Sequence, residues 1–212
     1  VPRAIVHRND VSAYSGAGYL ANSDYLVVKS PAVGINDAAG KWTYITGTSP
    51  HVWNDVSLDM KNDGNQRMIV VIPGTKPDKT TKLILDSSND YEAIYKGTID
   101  EAFQPPSGER YVAYGVDNSD IVRPFNRADY YVRRLSGTTG AGCAPNTGTF
   151  FKAVTNQSAA GGQTTQPLID CVAAMQVLFR VDTNGDGIPD GSPVNDISAY
   201  TARQIKENVK EV

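Results

Sequence analysis

A β-rich α+β fold, built on an antiparallel sheet with elaborated loops and one short C-terminal helix, is what this sequence predicts. Three observations carry that expectation. Short runs rich in Val, Ile, Thr and Tyr recur along the chain. Clusters of Asn, Asp, Ser and Gly separate them at intervals too short for the crossovers that parallel strands require. Only the final segment repeats its apolar residues at helical spacing.

Taken in order, residues 1–22 carry no strong period, and Ser15-Gly16-Ala17-Gly18 reads as loop. Asp24 to Ser30 is the first strand and stops at Pro31. Further strands are expected at Lys41 to Thr46, Arg67 to Ile72, Thr80 to Leu85, Tyr91 to Lys96, Arg110 to Val116, Asp129 to Leu135 and Thr149 to Val154. Turn clusters at 61–65, 86–90 and 117–120 punctuate them. Residues 155–166 are small and polar and read as loop. From Leu168 to Met175 periodicity does not decide between helix and strand, whereas Gln176 to Val181 alternates as a half-buried strand. Asn195 or Asp196 is the expected cap of a closing helix whose apolar stripe is Ile197, Ile205, Val209 and Val212. Lys206 and Lys210 lie toward its C-terminus, where the helix dipole favours cations.

The chain has 212 residues, enough for one sizeable core. Neither a repeat nor a linker is visible, so residues 1–212 read as a single globular domain, with 32–66 as an elaboration on it. A hydrophobic fraction of 40% with 20% charged residues is that of a folded chain, which sets disorder aside. The net charge is −3 and the 20 basic residues are scattered, so no nucleic-acid partner is expected. Arg123, Arg127, Arg133 and Arg134, interleaved with Asp120 and Asp129, read as a mixed, solvated surface. There is no apolar run of the roughly 18 residues that span a bilayer. The chain starts at Val1 with no methionine or signal peptide, which suggests a soluble fragment or a processed product.

Cys143 and Cys171 leave two readings open. In a reducing compartment they are ordinary thiols; in an oxidising one they pair, closing a loop worth roughly 3.5 kcal/mol in the chain-entropy description. They lack the CxxC spacing of redox or zinc sites.

One stretch carries explicit chemistry. Asp182-Thr183-Asn184-Gly185-Asp186-Gly187-Ile188-Pro189-Asp190 follows the front half of a calcium loop. Side-chain oxygens of Asp182, Asn184 and Asp186 fall at alternate positions, which suits a hard cation that takes six to eight oxygens. Gly187 permits a sharp backbone turn, Ile188 is placed to offer its carbonyl, and Asp190 adds a carboxylate directly or through water. Pro193 stands where an EF-hand carries its bidentate glutamate, and a strand, not a helix, leads in. The expectation is therefore a shorter calcium-stabilised turn with a structural role, closed by Asp196 or a backbone carbonyl. The competing reading is an Asn/Asp/Gly turn that only caps a hairpin.

Catalysis is not expected. The two histidines, His7 and His51, read as surface residues. Ser15 and Ser49 lack a nucleophile elbow, neither cysteine has a His–Asn signature, and phosphate and dinucleotide motifs are absent. The dense carboxylate cluster is better explained by a cation than by glycosidic chemistry.

Three stretches together resemble minor pilins of the PilW family. They are Tyr111 to Asp117 leading to Pro124-Phe125-Asn126-Arg127-Ala128-Asp129-Tyr130-Tyr131, then Cys143-Ala144-Pro145-Asn146-Thr147-Gly148, and most specifically Pro167 to Val177 running into the Asp182 turn. Residues 24–30 add a weaker match. The resemblance implies a pilin-like antiparallel sheet with the N-terminal pilin helix missing, and a further strand after Val212. It implies a subunit anchored in the inner membrane through that helix, facing the periplasm, and then carried into an extracellular type IV pilus at or near its tip. Its expected partners are other minor pilins, the major pilin and a tip adhesin. In that compartment Cys143 and Cys171 pair, and a calcium turn stiffens a docking edge. A type II secretion pseudopilin shares this body plan. A free calcium-dependent adhesin or carbohydrate-binding module, using Trp42, Tyr44 and Trp53, is the rival from a different class.

Overall fold

The computed structural model describes residues 3–47, 49–50, 64–74, 81–94, 98–134, 142–158 and 160–212. His51, Trp53, Leu135 and the 61–63 portion of one turn cluster lie outside the described residues. The strands run in order as β1 (Ile5–Arg8), β2 (Tyr25–Ser30), β3 (Trp42–Thr46), β4 (Ser49–Pro50), β5 (Arg67–Ile72), β6 (Lys82–Leu83), β7 (Ala93–Ile94) and β8 (Tyr111–Asp117). They continue as β9 (Asn126–Arg133), β10 (Gly148–Thr155), β11 (Gln163–Val172), β12 (Phe179–Val181) and β13 (Asp190–Val194), followed by helix α1 (Ala202–Asn208) and β14 (Val209–Glu211). The fold is strand-rich with antiparallel sheets and a short C-terminal helix, as the residue pattern predicts.

The chain groups into two compact units. The first comprises Val1–Lys29, Arg127–Val154 and Gln163–Val212; the second comprises Ser30–Asn126 and Thr155–Gly162. The described residues of 32–66 fall within the second.

The second unit holds the sheet ordered β4-β3-β8-β5-β6, with β7 also pairing β5. β5 occupies the limits its sequence predicts, because Met68, Ile69, Val70 and Val71 are all buried and must be covered on both faces. With a side-chain period of two, Met68 and Val70 join Ile45, Ala113, Ile99 and Phe103 in one cluster. Ile69 and Val71 join Val112, Val116 and Ile121 in another. Each such side chain contributes about 1.5–3 kcal/mol on burial. Asn126 ties the chain down at the sheet's end, donating to the carbonyls of Val116 at 2.8 Å and Pro31 at 2.9 Å.

The first unit contains the sheet β1-β2-β9-β10-β11 and the smaller sheet β13-β12-β14. Phe179 and Val181 of β12 pack with Val177, Ile197 and Ile205, and with the half-buried Ile5 and Leu26. A second cluster gathers Tyr131, Phe151 and Ala153, with Tyr19 and Tyr25 against it. Asp129 departs from the solvated reading of its charge cluster, being 1% exposed. Its oxygens accept from the Tyr25 hydroxyl at 2.6 Å and from two Arg127 nitrogens at 2.7 Å each, the pairing a buried carboxylate needs. Burial, reinforced by Asp129, pushes the Tyr25 hydroxyl well above its usual range.

Three expectations are corrected. Part of the loop expected over 155–166, together with the undecided stretch from Leu168, forms β11, a ten-residue strand at the edge of its sheet. Most of its side chains face water, the apolar Leu168 and Ile169 among them, so no alternation of buried and exposed residues marks the strand in the sequence. The closing helix is shorter than its apolar stripe suggested. Thr201, not Asn195 or Asp196, caps it, in a capping box with Gln204, and Val209 already belongs to β14. Asp196 instead accepts the N–H and hydroxyl of Ser198. His7 is buried, not on the surface; its Nε2 lies 3.2 Å from an Asp24 oxygen and its ring meets Phe179 edge-on. It occupies the inward face of β1, beside Ile5 in the alternation Ile5-Val6-His7-Arg8.

Candidate functional site

The acidic stretch forms the connection between antiparallel strands β12 and β13, in which Val181 pairs with Asp190 and Phe179 with Val194. Gly185 and Gly187 carry φ values of 83° and 94°. A Cβ at either would meet nothing within 4 Å. The need for glycine there is thus conformational, not a matter of room.

Asp182 is the anchor. It is 2% exposed. One oxygen accepts the N–H of Gly185 at 2.6 Å and the other that of Gly187 at 2.8 Å. The Lys210 ammonium stands 3.3 Å from the second oxygen. Burial alone would push this carboxyl up; the two N–H donors and Lys210 outweigh it and hold it below the usual carboxylate range. Lys210 also donates to the Glu207 carbonyl at the end of α1, at 2.7 Å, so the same cation serves a helix C-terminus. The Asp182 N–H completes the tie by donating to the Asn208 carbonyl at 2.8 Å.

Asp190 closes the turn from the far side. Its Oδ2 accepts the N–H and hydroxyl of Thr183, each at 2.8 Å, and the Asn184 N–H at 3.2 Å. The Thr183 hydroxyl and N–H, with the Asn184 N–H, keep its carboxyl low despite burial and the Asp182 charge. Asn184 spans the middle, its Nδ2 donating to Asp190 at 3.1 Å and to Asp186 at 3.3 Å. Its Oδ1 accepts the Asp186 N–H at 2.9 Å. Asp186 in turn accepts the Ile188 N–H at 2.7 Å, and the Ile188 side chain is 67% exposed.

All five residues expected at the cation turn thus lie in one hydrogen-bonded connection. Their oxygens are of a kind that suits a hard ion. Their arrangement is another matter: no group of three His, Cys, Asp or Glu side chains among the described residues is placed to hold a metal ion. The N–H groups of the turn and one lysine provide the positive partners. The sequence pattern missed Lys210 and Thr183. Lys210 lies far away in sequence, and only the register of β12 with β14, Val181 opposite Val209, brings it alongside. Thr183 was legible in principle, as a hydroxyl beside an Asp/Asn/Gly turn.

Cys143 and Cys171 are joined by a disulfide, spanning 28 residues of sequence. Near it, Ser15, Tyr19, Asn22, Arg134, Asn146 and Thr147 line a groove of about 700 Å³ that, among the described residues, presents neither carboxylate nor imidazole. Among the described residues no helix is long and apolar enough to cross a membrane.

No family model matches the chain, and neither a curated protein nor a solved structure matches it.

Proposed function

We propose that this chain is the globular head of a minor pilin resembling the PilW family, a non-catalytic subunit that primes assembly of a type IV pilus and sits at or near its tip. It works by packing against other minor pilins and the major pilin. The observation that carries the reading is the Cys143–Cys171 bridge, which suits the oxidising space outside the inner membrane and joins two of the stretches that resemble the family. The strand-rich antiparallel fold is compatible with it. The test is co-purification with the other minor pilins of the same operon, combined with deletion of the gene. Loss of surface pili and a stable minor-pilin complex are expected; normal piliation together with no complex overturns the proposal.

Calcium belongs to this proposal on the Asp-x-Asn-x-Asp-Gly spacing alone. An ion entering the turn displaces Lys210 from Asp182, so Lys210→Met is expected to bind calcium more tightly than the wild type. Thermal melts with calcium and with chelator read this out. If neither protein melts higher with calcium, the turn is held by its own groups only. A sugar-binding module remains the second reading, because Trp42 is 38% exposed and meets Tyr44 edge-on at 5.4 Å. Glycan-array binding that is lost in Trp42→Ala would favour it.

A further inference from the structure

Asn184-Gly185 is the one Asn-Gly pair in the chain. In such a pair the glycine nitrogen can attack the asparagine side-chain carbon, because no Cβ hinders the approach. The new N–C bond closes a succinimide and the side-chain nitrogen leaves as ammonia. Water then opens the ring to aspartate or isoaspartate, with no oxidant or other reactant needed. Both residues are exposed at the turn between β12 and β13. What decides the rate is how the three participating groups are held.

Each is engaged. The nucleophile, the Gly185 N–H, donates to the Asp182 carboxylate at 2.6 Å. A proton held against an anion is harder to lose. The leaving nitrogen, Asn184 Nδ2, donates to Asp190 and Asp186. The carbonyl oxygen is pinned by the Asp186 N–H. Rotation of the side chain onto the glycine nitrogen breaks these bonds, so cyclisation requires the turn to open first.

We propose that Asn184-Gly185 is a site of spontaneous deamidation that the closed turn protects, so that the modification is a one-way record of turn opening. The product cannot restore the closed state. A carboxylate at position 184 would face the Asp190 and Asp186 oxygens to which the amide now donates, replacing two hydrogen bonds by two repulsions. The isoaspartate form also adds a backbone methylene.

The test is peptide mapping by mass spectrometry after incubation of the whole chain at mildly alkaline pH, in buffer containing chelator. Asn118-Ser119, in a different turn, serves as the internal reference. Native wild type is expected to deamidate at Asn184 at least about tenfold more slowly than the same chain in denaturant. Asp190→Ala, which removes acceptors for Thr183 and Asn184, is expected to recover most of the denatured rate without changing Asn118. Equal native and denatured rates overturn the proposal, as does full protection in a folded Asp190→Ala. If Asp190→Ala does not fold, Asn184→Asp decides: it is expected to melt below the wild type, and an unchanged or higher melting temperature overturns the one-way claim.

Discussion

Strand β5 and the Asp182–Asp190 turn are ordered by opposite means. Four consecutive apolar residues of β5 vanish into clusters on both faces of a sheet, so non-directional burial holds it. The turn exposes most of its residues and is held by carboxylates aimed at N–H groups, a hydroxyl and one ammonium. The first kind of order is indifferent to pH and costly to truncate. The second titrates, tolerates apolar change at its tip, and opens as a local unit.

The sharpest way to break that contrast is in the core. Met68→Ala is expected to cost about 2–5 kcal/mol in denaturant unfolding, because a fully buried side chain leaves a cavity behind. A loss near zero would mean that β5 is not where the second unit's stability resides.

Next in size is the covalent tie of the first unit. Replacing Cys143 and Cys171 together by serine is expected to lower stability by roughly 3.5 kcal/mol through the freed unfolded chain. Only the transition attributed to the first unit should shift; movement of Met68-dependent unfolding would show that the two behave as one.

The turn should respond to acid. Asp182 and Asp190 have folded pKa values below their unfolded ones. Their contribution is therefore complete above about pH 4, the ordinary carboxylate value, and is lost as pH falls through the lower folded values. Amide resonances of Thr183, Gly185 and Gly187 are expected to move together below that pH, while those of Val70 and Ala113 stay put. Joint movement of both groups would erase the distinction.

The smallest effect is expected at Ile188→Ser, which should change the melting midpoint by no more than about 0.5 kcal/mol equivalent, since its side chain stands in water. A large loss would reveal a contact that this turn makes elsewhere.

These regions also differ in how openly the chain announces them. Arg67 to Ile72 is readable because burial on both faces demands an unbroken apolar run, and that run ends at Pro73-Gly74. β11 is not readable, because an exposed edge strand places no such demand on its side chains. His7 does not read as buried in the sequence, because its burial depends on Asp24 and Phe179, which are remote in sequence. The apolar stripe runs past the true helix, because Ile197 and Ile205 share a core cluster from either side of the Thr201 cap.

By itself, the sequence determined the strand-rich class, the position of β5 and the existence of an acidic turn with glycines at its strained points. Local chemistry suffices for those: residue period, backbone freedom and short-range Asx bonding. Only the tertiary structure decided that Asp129 and His7 are inside, that Cys143 meets Cys171, and that the cation facing Asp182 is Lys210. Each of these joins residues remote in sequence or buries a polar group, and no local rule fixes which distant partner will neutralise a charge.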